Sequence, residues 1–367
     1  TERNLVDFAE KGLIGKARSR PDLLRQLIHK AERDGVLTAF ESAMNRLDHP
    51  LLLGYSSAGM VIETGSGVKG FQPGDRVVCA GGGFAVHAEY AVVPQNLAAH
   101  LPDSVDFESG AFSTIGAIAL NGIRLASPRI GETACVIGLG LLGLITAQLL
   151  KANGCSVIGS DISSQRIDFA KEMGIDALTN KELEETCLSR TKGIGFDQVL
   201  ICADTESDET VRLAGAVARD RAHVVAIGAV GLDIPRKPYY EKELFFQVSR
   251  SYGPGRYDES YEVKGVDYPP GYVRWTEGRN LSAFVNLLES AKVDVKKLIT
   301  HRFRIQEAVE AYDLITGKSG EDYLGVLLTY PETKKTETHK VEIQKTFPSA
   351  SSEAQEVRLG VIGAGNY

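Results

Sequence analysis

The run Gly138-Leu-Gly140-Leu-Leu-Gly143 constrains this chain more than any other feature. A β-branched segment, Ala134–Ile137, leads into it, and an uncharged apolar stretch, Leu144–Leu150, leaves it. A further strand-like run ends on Asp161, roughly 20 residues on. Strand, G-x-G-x-x-G, helix and acid-tipped strand form the pattern of a βαβ unit that binds a dinucleotide. Gly138 permits the tight turn, Gly140 lets a pyrophosphate approach the backbone, and Gly143 lets the helix pack closely on the strand. Free N–H groups at the helix start, around Leu141 and Leu142, face the phosphates. Asp161 would accept hydrogen bonds from the adenosine ribose and oppose a 2′-phosphate, which favours NAD over NADP. Arg166 tempers this, since a guanidinium could serve a 2′-phosphate or merely flank the ribose. Leu139, Ile162, Cys202, Ala203 and Gly228 complete the expected cofactor lining. The rival reading is an ordinary tight βα turn.

The surrounding text agrees with a parallel sheet. Between about Pro128 and Gly253, strand-like runs at Ala134–Ile137, Ser156–Ser160, Gln198–Cys202 and His223–Ile227 alternate with helical stretches. Before them, from Leu51, short runs alternate with glycine turns: Gly59–Gly65, Gly74–Cys79 and Ala88–Pro94, as in a small barrel or sandwich. Residues 1 to 50 read as two amphipathic helices. Past Tyr252 comes SYGPGRYDESYEVKGVDYPPGYVRW, too rich in turn formers for a regular element. A helix at Leu281–Ala291, a strand at Thr300–Arg304, a helix at Gln306–Gly317 and a closing strand at Tyr323–Tyr330 follow.

Composition limits the function classes. At 367 residues the chain has room for two domains and some remainder. Its formal charge of −7 argues against a nucleic-acid partner. Five cysteines, none in a C-x-x-C pair, suit free thiols in a reducing, cytoplasmic compartment. The uncharged run Thr133–Leu150 is barely long enough for a membrane span and is better read as the glycine motif, so no membrane partner is expected. Residues 331 to 356 are polar and linker-like, with Lys334-Lys335 a solvated charge. The terminal Val357-Arg-Leu-Gly-Val-Ile-Gly-Ala-Gly-Asn-Tyr367 echoes Cys135–Gly140 and reads as the first strand of a second, truncated nucleotide-binding domain. The rival is a frayed tail.

The glycine turns, GDRV, EYAVVP, VIGLGLLG and the Asp161–Arg166 pair together resemble the medium-chain dehydrogenase/reductase superfamily, which includes zinc alcohol dehydrogenases and quinone reductases. The resemblance covers roughly residues 1 to 330. It implies an α/β fold: a Rossmann doubly wound parallel sheet (128–253) inserted in a GroES-like β-rich catalytic domain (1–127 plus 254–330). It also implies further strands before Thr1. The last residues resemble the opening of the glucose–fructose oxidoreductase/inositol dehydrogenase family, which implies a covalently following second dehydrogenase domain. A homodimer would suit the family.

Where zinc relatives carry Gly-His-Glu, this chain reads Gly54-Tyr55-Ser56, and a further family ligand falls near Thr114. The four-cysteine lobe of such relatives is replaced by CAGGGFAVHA, leaving Cys79 and His87 as two candidates around a tight turn. No zinc is expected. The resemblance puts Tyr55 at a lost ligand position, where its phenol could polarise an oxygen or merely fill space. It matches Thr1 to the hydroxyl that relays a proton in alcohol dehydrogenases. His87, Arg256, Tyr257 and Lys264 are looser candidates, while His49, His100, His223 and His301 read as ordinary residues.

The expectation is a zinc-independent, NAD(H)-dependent oxidoreductase transferring hydride to or from a polyol, sugar or nucleotide sugar as small-molecule substrate. The aromatic and arginine-rich loop Tyr252–Trp275 would pack rings on sugar faces and hold hydroxyls or phosphates, or form an interdomain or dimer contact. Two alternatives remain: an NADPH-dependent quinone or enoyl reductase, and a non-catalytic NAD-binding module of a bifunctional dehydrogenase.

Overall fold

A computed structural model describes Val6 and residues 52–331. Thr1, His49, the helices expected before residue 51, most of the linker and the terminal glycine motif lie outside the described residues.

Among the described residues the strands form three sheets. The largest has six strands, all parallel: β4 (Thr133–Ile137), β5 (Ser156–Asp161), β6 (Asp176–Thr179), β7 (Phe196–Ile201), β8 (Ala218–Ala226) and β9 (Phe245–Val248). Their spatial order, β6-β5-β4-β7-β8-β9, reverses direction between β4 and β7. That is the switch point where a doubly wound sheet opens a crevice at its carboxyl edge. The pleat sends alternate residues to opposite faces. Ala134, Val136, Leu200 and Val225 enter one apolar layer, with Leu144 and Ile145 of the following helix. Cys135, Ile137, Val199, Ile201 and Val224 enter the other, with Val211 and Ala214. Burial on both faces explains the near-continuous apolar runs of these strands.

Five helices complete the crossovers of this sheet: one of six residues, Arg236–Glu241, between β8 and β9, and four longer ones. The longer ones are α2 (Leu141–Ala152), α3 (Ser164–Glu172), α4 (Asn180–Arg190) and α5 (Glu209–Val217). The α4 start is closed by a capping box, with Thr179 and Glu182 exchanging side-chain and backbone hydrogen bonds. Ahead of the sheet runs α1 (Ser113–Ala126), which packs against α2 and against α6 (Glu277–Glu289). Gly116 admits this contact: a Cβ there would lie 2.2 Å from the buried Phe284 ring.

The smaller sheets are β1 (Ser56–Met60), β2 (Arg76–Ala80) and β3 (Ala98–His100), antiparallel in that order, and the parallel pair β10 (Ile299–Arg304) and β11 (Gly325–Thr329). A last helix, α7 (Ala308–Ile315), joins the latter two. Two expectations change here. The first strand begins at Ser56 and ends at Met60, ahead of the Val-Ile-Glu-Thr run. Ala88–Pro94, expected as one of the short runs between glycine turns, forms no strand: Tyr90 and Val92 face solvent, and no described strand pairs with it. The short strand Ala98–His100 takes the β2 edge instead. Among the described residues no helix is long and apolar enough to cross a membrane.

Candidate functional site

At the carboxyl end of β4 the chain turns sharply into α2. Gly138 adopts φ +95°, and a Cβ on it would lie 2.7 Å from the Ala203 nitrogen. Only glycine holds that conformation at no steric cost. A Cβ on Gly143 would lie 1.8 Å from the Gly138 carbonyl oxygen, so this glycine is what brings helix and turn together. Gly140 differs: a Cβ there would meet nothing nearer than the Arg166 guanidinium, at 4.0 Å. This open side of the backbone adjoins the first N–H groups of α2, whose N-cap Gly140 offers no side-chain cap. Backbone donors, a helix start and a bare glycine face suit a pyrophosphate.

Asp161 closes the site from β5. It is 5% exposed; its Oδ2 accepts the Leu139 N–H at 2.7 Å and its Oδ1 the Ser163 N–H at 2.9 Å. Each oxygen keeps a further lone pair for a ribose hydroxyl. Arg166 stands 3.8 Å from Oδ2, with its side chain half exposed. Leu139 is buried in the core, so it serves the site through its backbone. Across the crevice, the Cys202 N–H donates to Ile137 O at 2.8 Å and the Gly228 N–H to Ile201 O at 3.0 Å. A Cβ on Gly228 would lie 1.9 Å from Ala203 O, so these two ends of β7 and β8 touch. The Cys202 thiol is buried beside Thr146 at 3.6 Å, and burial pushes it up to about 12. Ile162 is largely exposed next to Asp161. The residues present fit a nicotinamide dinucleotide.

The positions matched to zinc ligands also converge. The fully buried Thr114 donates its hydroxyl proton toward Tyr55 O at 3.2 Å, with Cys79 O at 3.5 Å. Ser56 Oγ donates to Ala111 O at 2.6 Å. His87 lies against Gly54, and its ring meets Tyr312 edge-on at 6.1 Å. Burial pushes the Cys79 thiol up to about 11 against a Ser57 hydrogen bond, so it is not poised as a thiolate ligand. Among the described residues no three His, Cys, Asp or Glu side chains converge on one point. The described residues by themselves therefore offer no ligand set that fits a zinc centre.

The looser candidates scatter. Lys264 is exposed and pairs with Glu259 at 3.2 Å. His100 stacks on Phe71, His223 on Phe245 and His301 on Phe303. Arg256 and Tyr257, by contrast, enter a buried network that no sequence motif marks. Arg256 Nη1 donates to Glu262 Oε1 at 2.5 Å, and the Tyr257 N–H donates to Glu262 Oε2 at 3.2 Å. Glu277 opens α6 with its N–H bound to Pro254 O and its side chain fully buried. Neither of its carboxyl oxygens has a hydrogen-bond partner among the described residues. Burial, reinforced by the Glu262 charge, pushes this acid up to about 8 against the pull of Arg256. The one advance sign was the crowding of Tyr and Arg between residues 252 and 275; Glu262 and Glu277 carried none.

Comparisons with known proteins follow the same outline. A family model described as an alcohol dehydrogenase GroES-like domain matches residues 31–103, and one described as a zinc-binding dehydrogenase matches residues 142–264. Sorbitol dehydrogenase of Ovis aries is 26% identical over 301 residues, covering 74% of this chain and 78% of its own. Sorbitol dehydrogenase of Halalkalibacterium halodurans is 29% identical over 317 residues, covering 76% and 83%. The structure of an alcohol dehydrogenase from Thermus sp. ATN1 superposes with a TM-score of 0.63 at 21% identity, over 79% of this chain and 89% of that one. With a GroES-like part, a Rossmann-type sheet of six parallel strands and dehydrogenase relatives along most of its length, the chain is an oxidoreductase with the α/β fold of the medium-chain dehydrogenase/reductase superfamily.

Proposed function

We propose that this protein is a zinc-independent, NAD(H)-dependent dehydrogenase of a polyol or sugar. The observation that carries the cofactor choice is Asp161, buried at the end of β5 and tied to the Leu139 N–H. A 2′-phosphate beside that carboxylate meets like charge. Sorbitol dehydrogenases among the relatives support the polyol class. The domain limits expected from the sequence, 128–253 set within 1–127 and 254–330, belong to this reading.

The bound nicotinamide supplies the hydride acceptor or donor. The glycine turn and the start of α2 hold the pyrophosphate, and Asp161 orients the ribose. Tyr55 stands where zinc relatives place a metal ligand, and its phenol hydrogen-bonds the reacting oxygen in place of a Lewis acid. The Thr114 hydroxyl donates its one proton toward main-chain carbonyls, so it holds the Tyr55 backbone and has none to give the reacting oxygen.

Fluorescence titrations with NADH and NADPH test the cofactor choice. NADH is expected to bind more tightly, and Asp161→Ala to weaken it by about tenfold or more. Arg166, close to both Asp161 and the bare face of Gly140, favours the reverse reading. Tighter NADPH binding, lost in Arg166→Ala, would establish it. Polyol oxidation is expected to survive a strong chelator and to fall in Tyr55→Phe. Activity that vanishes with the chelator and returns with added zinc would refute the metal-free mechanism.

A further inference from the structure

The chain is acidic overall, yet four arginines gather where the segment after β9 crosses α1. Arg124, on α1, lies over the Trp275 ring with its guanidinium carbon 3.3 Å from the centroid, and Arg274 lies over the same ring at 3.9 Å. Two guanidiniums that close to one centroid must take opposite faces of the indole. Arg124 Nε donates to Asn280 Oδ1 at 2.8 Å, and Asn280 Nδ2 donates to Tyr252 O at 2.9 Å. Beyond Tyr252, Arg256 and Arg250 both stack on Tyr257, at 4.1 and 4.7 Å. One connected set of contacts therefore links all four.

Carboxylates do not balance this charge. Glu262 serves Arg256, and burial pushes the Glu277 carboxyl up toward its neutral form. Among the described residues Arg124, Arg250 and Arg274 have no carboxylate partner. Arg124 is more than half enclosed, and burial, with the Arg274 charge behind it, pulls its guanidinium down to about 10. Stacking on an indole returns part of that penalty but leaves the like charges facing each other. Tyr257 adds backbone strain: it holds φ +67°, unfavourable for a bulky residue, and Glu262 fastens it there through its N–H. Its ring stays exposed between the two arginines.

The location gives this cluster a use. Ser249 follows β9 at the carboxyl edge of the sheet, its N–H bonded to Ala226 O, immediately before the Ile227–Gly228 wall of the crevice. Asn121 Nδ2 donates to Ser249 Oγ at 2.9 Å, fixing the segment on α1. Asn121 is seven residues along α1 from Thr114, roughly 10 Å of helical rise. Hence we propose that the arginine cluster around Trp275 and Tyr257 is an anion subsite, and that the substrate is a polyol or sugar derivative bearing an oxyanion, a phosphate or a carboxylate, at the end remote from the reacting carbon. The proposal rests on the polyol reading above for the reacting end only. The oxyanion would accept charge-assisted hydrogen bonds from guanidiniums that now repel one another.

The test uses the full chain with NAD present. Inorganic phosphate is titrated by calorimetry, and kcat/KM is measured for sorbitol, sorbitol 6-phosphate and gluconate. Wild-type protein is expected to bind phosphate and to prefer an anionic substrate over sorbitol. Arg274→Ala, an exposed change, and Arg124→Gln are each expected to weaken phosphate and to lower the anionic-to-neutral kcat/KM ratio by about ten- to a hundredfold. Arg221→Ala, an exposed arginine paired with Glu243 elsewhere on the sheet, should change neither. A higher rate with gluconate than with sorbitol 6-phosphate would assign the oxyanion to a carboxylate, and the reverse to a phosphate. Phosphate binding indifferent to Arg274→Ala, or a wild-type preference for sorbitol, would overturn the subsite. Phosphate binding that is lost in the variants, with none of the three substrates turned over, would uphold the subsite and overturn the polyol reading instead.

Discussion

The turn between β4 and α2 is held by backbone, whereas the segment from Ser249 to Asn280 is held by side chains. In the turn, the Gly138 carbonyl occupies the space a Gly143 side chain would need, and Asp161 is fastened to a main-chain N–H. In the segment, Glu262, Arg256, Asn280, Asn121 and Tyr261 knit together loops that contain only one four-residue helix, Glu259–Glu262. A backbone site tolerates almost no added atom but is indifferent to pH. A side-chain site tolerates some change in shape but depends on which of its acids are ionised.

The largest effect should come from breaking the first half of this contrast. Gly143→Ala sets a Cβ against a backbone oxygen that cannot move without opening the β4–α2 turn. The expected loss exceeds about 4 kcal/mol of stability, or shows as undetectable NADH binding if the fold survives. Urea unfolding followed by circular dichroism, with a parallel NADH titration, measures both. A variant that bound NADH normally would mean the turn is not the cofactor site.

Glu277→Gln probes the second half. The acid has an ordinary value of 4.5 when unfolded and about 8 when folded. Its contribution is therefore fully present below pH 4.5 and drains away as pH rises to about 8. Burial sets most of that interval, the Glu262 charge widens it and Arg256 narrows it, while the Glu277 charge in turn raises Tyr252, Tyr261 and Tyr268. An uncharged amide keeps the shape and removes the proton linkage. The variant should gain on wild type between pH 5 and 8 by a few kcal/mol, on the order of 1.4 per unit, and level off above. Urea midpoints across this range decide it, and parallel curves would show that Glu277 does not titrate there.

The smallest expected effect lies outside both regions. Thr179→Ala removes the reciprocal cap of α4 at an exposed site and should cost about 1 kcal/mol at any pH from 6 to 9. A pH-dependent loss there would blur the contrast: the Thr179 hydrogen bonds hold the Glu182 carboxyl below its ordinary value, so it stays ionised across that range and the cap would have to feel another titrating group.

The same contrast governs how much could be read from the text. G-x-G-x-x-G and Asp161 were legible because a backbone site writes its requirements as residue types at fixed spacing. Strands β4, β5, β7 and β8 were legible because burial on both faces leaves runs of apolar residues. Ala88–Pro94 misled because a short run between turns shows that a segment can pair, not that an edge is available. Glu262 and Glu277 were illegible for another reason. Fifteen positions apart, each looks like a solvated surface acid, and only the folding of the intervening loop buries them near one guanidinium. Arg124 was hidden likewise, as a charge near the end of an apolar helix that gives no sign of the indole it covers.

The close seating of α1 on Phe284 through Gly116 has a last consequence. A helix seated that closely fixes a spacing, so it works as a calliper with one jaw at Tyr55, whose backbone Thr114 holds, and the other at Arg124, with Thr114 and Arg124 roughly 15 Å of rise apart. Ligands gripped at both jaws would be sorted by reach before they were sorted by chemistry. A molecule one or two carbons short would touch one jaw and miss the other, however well its hydroxyls matched.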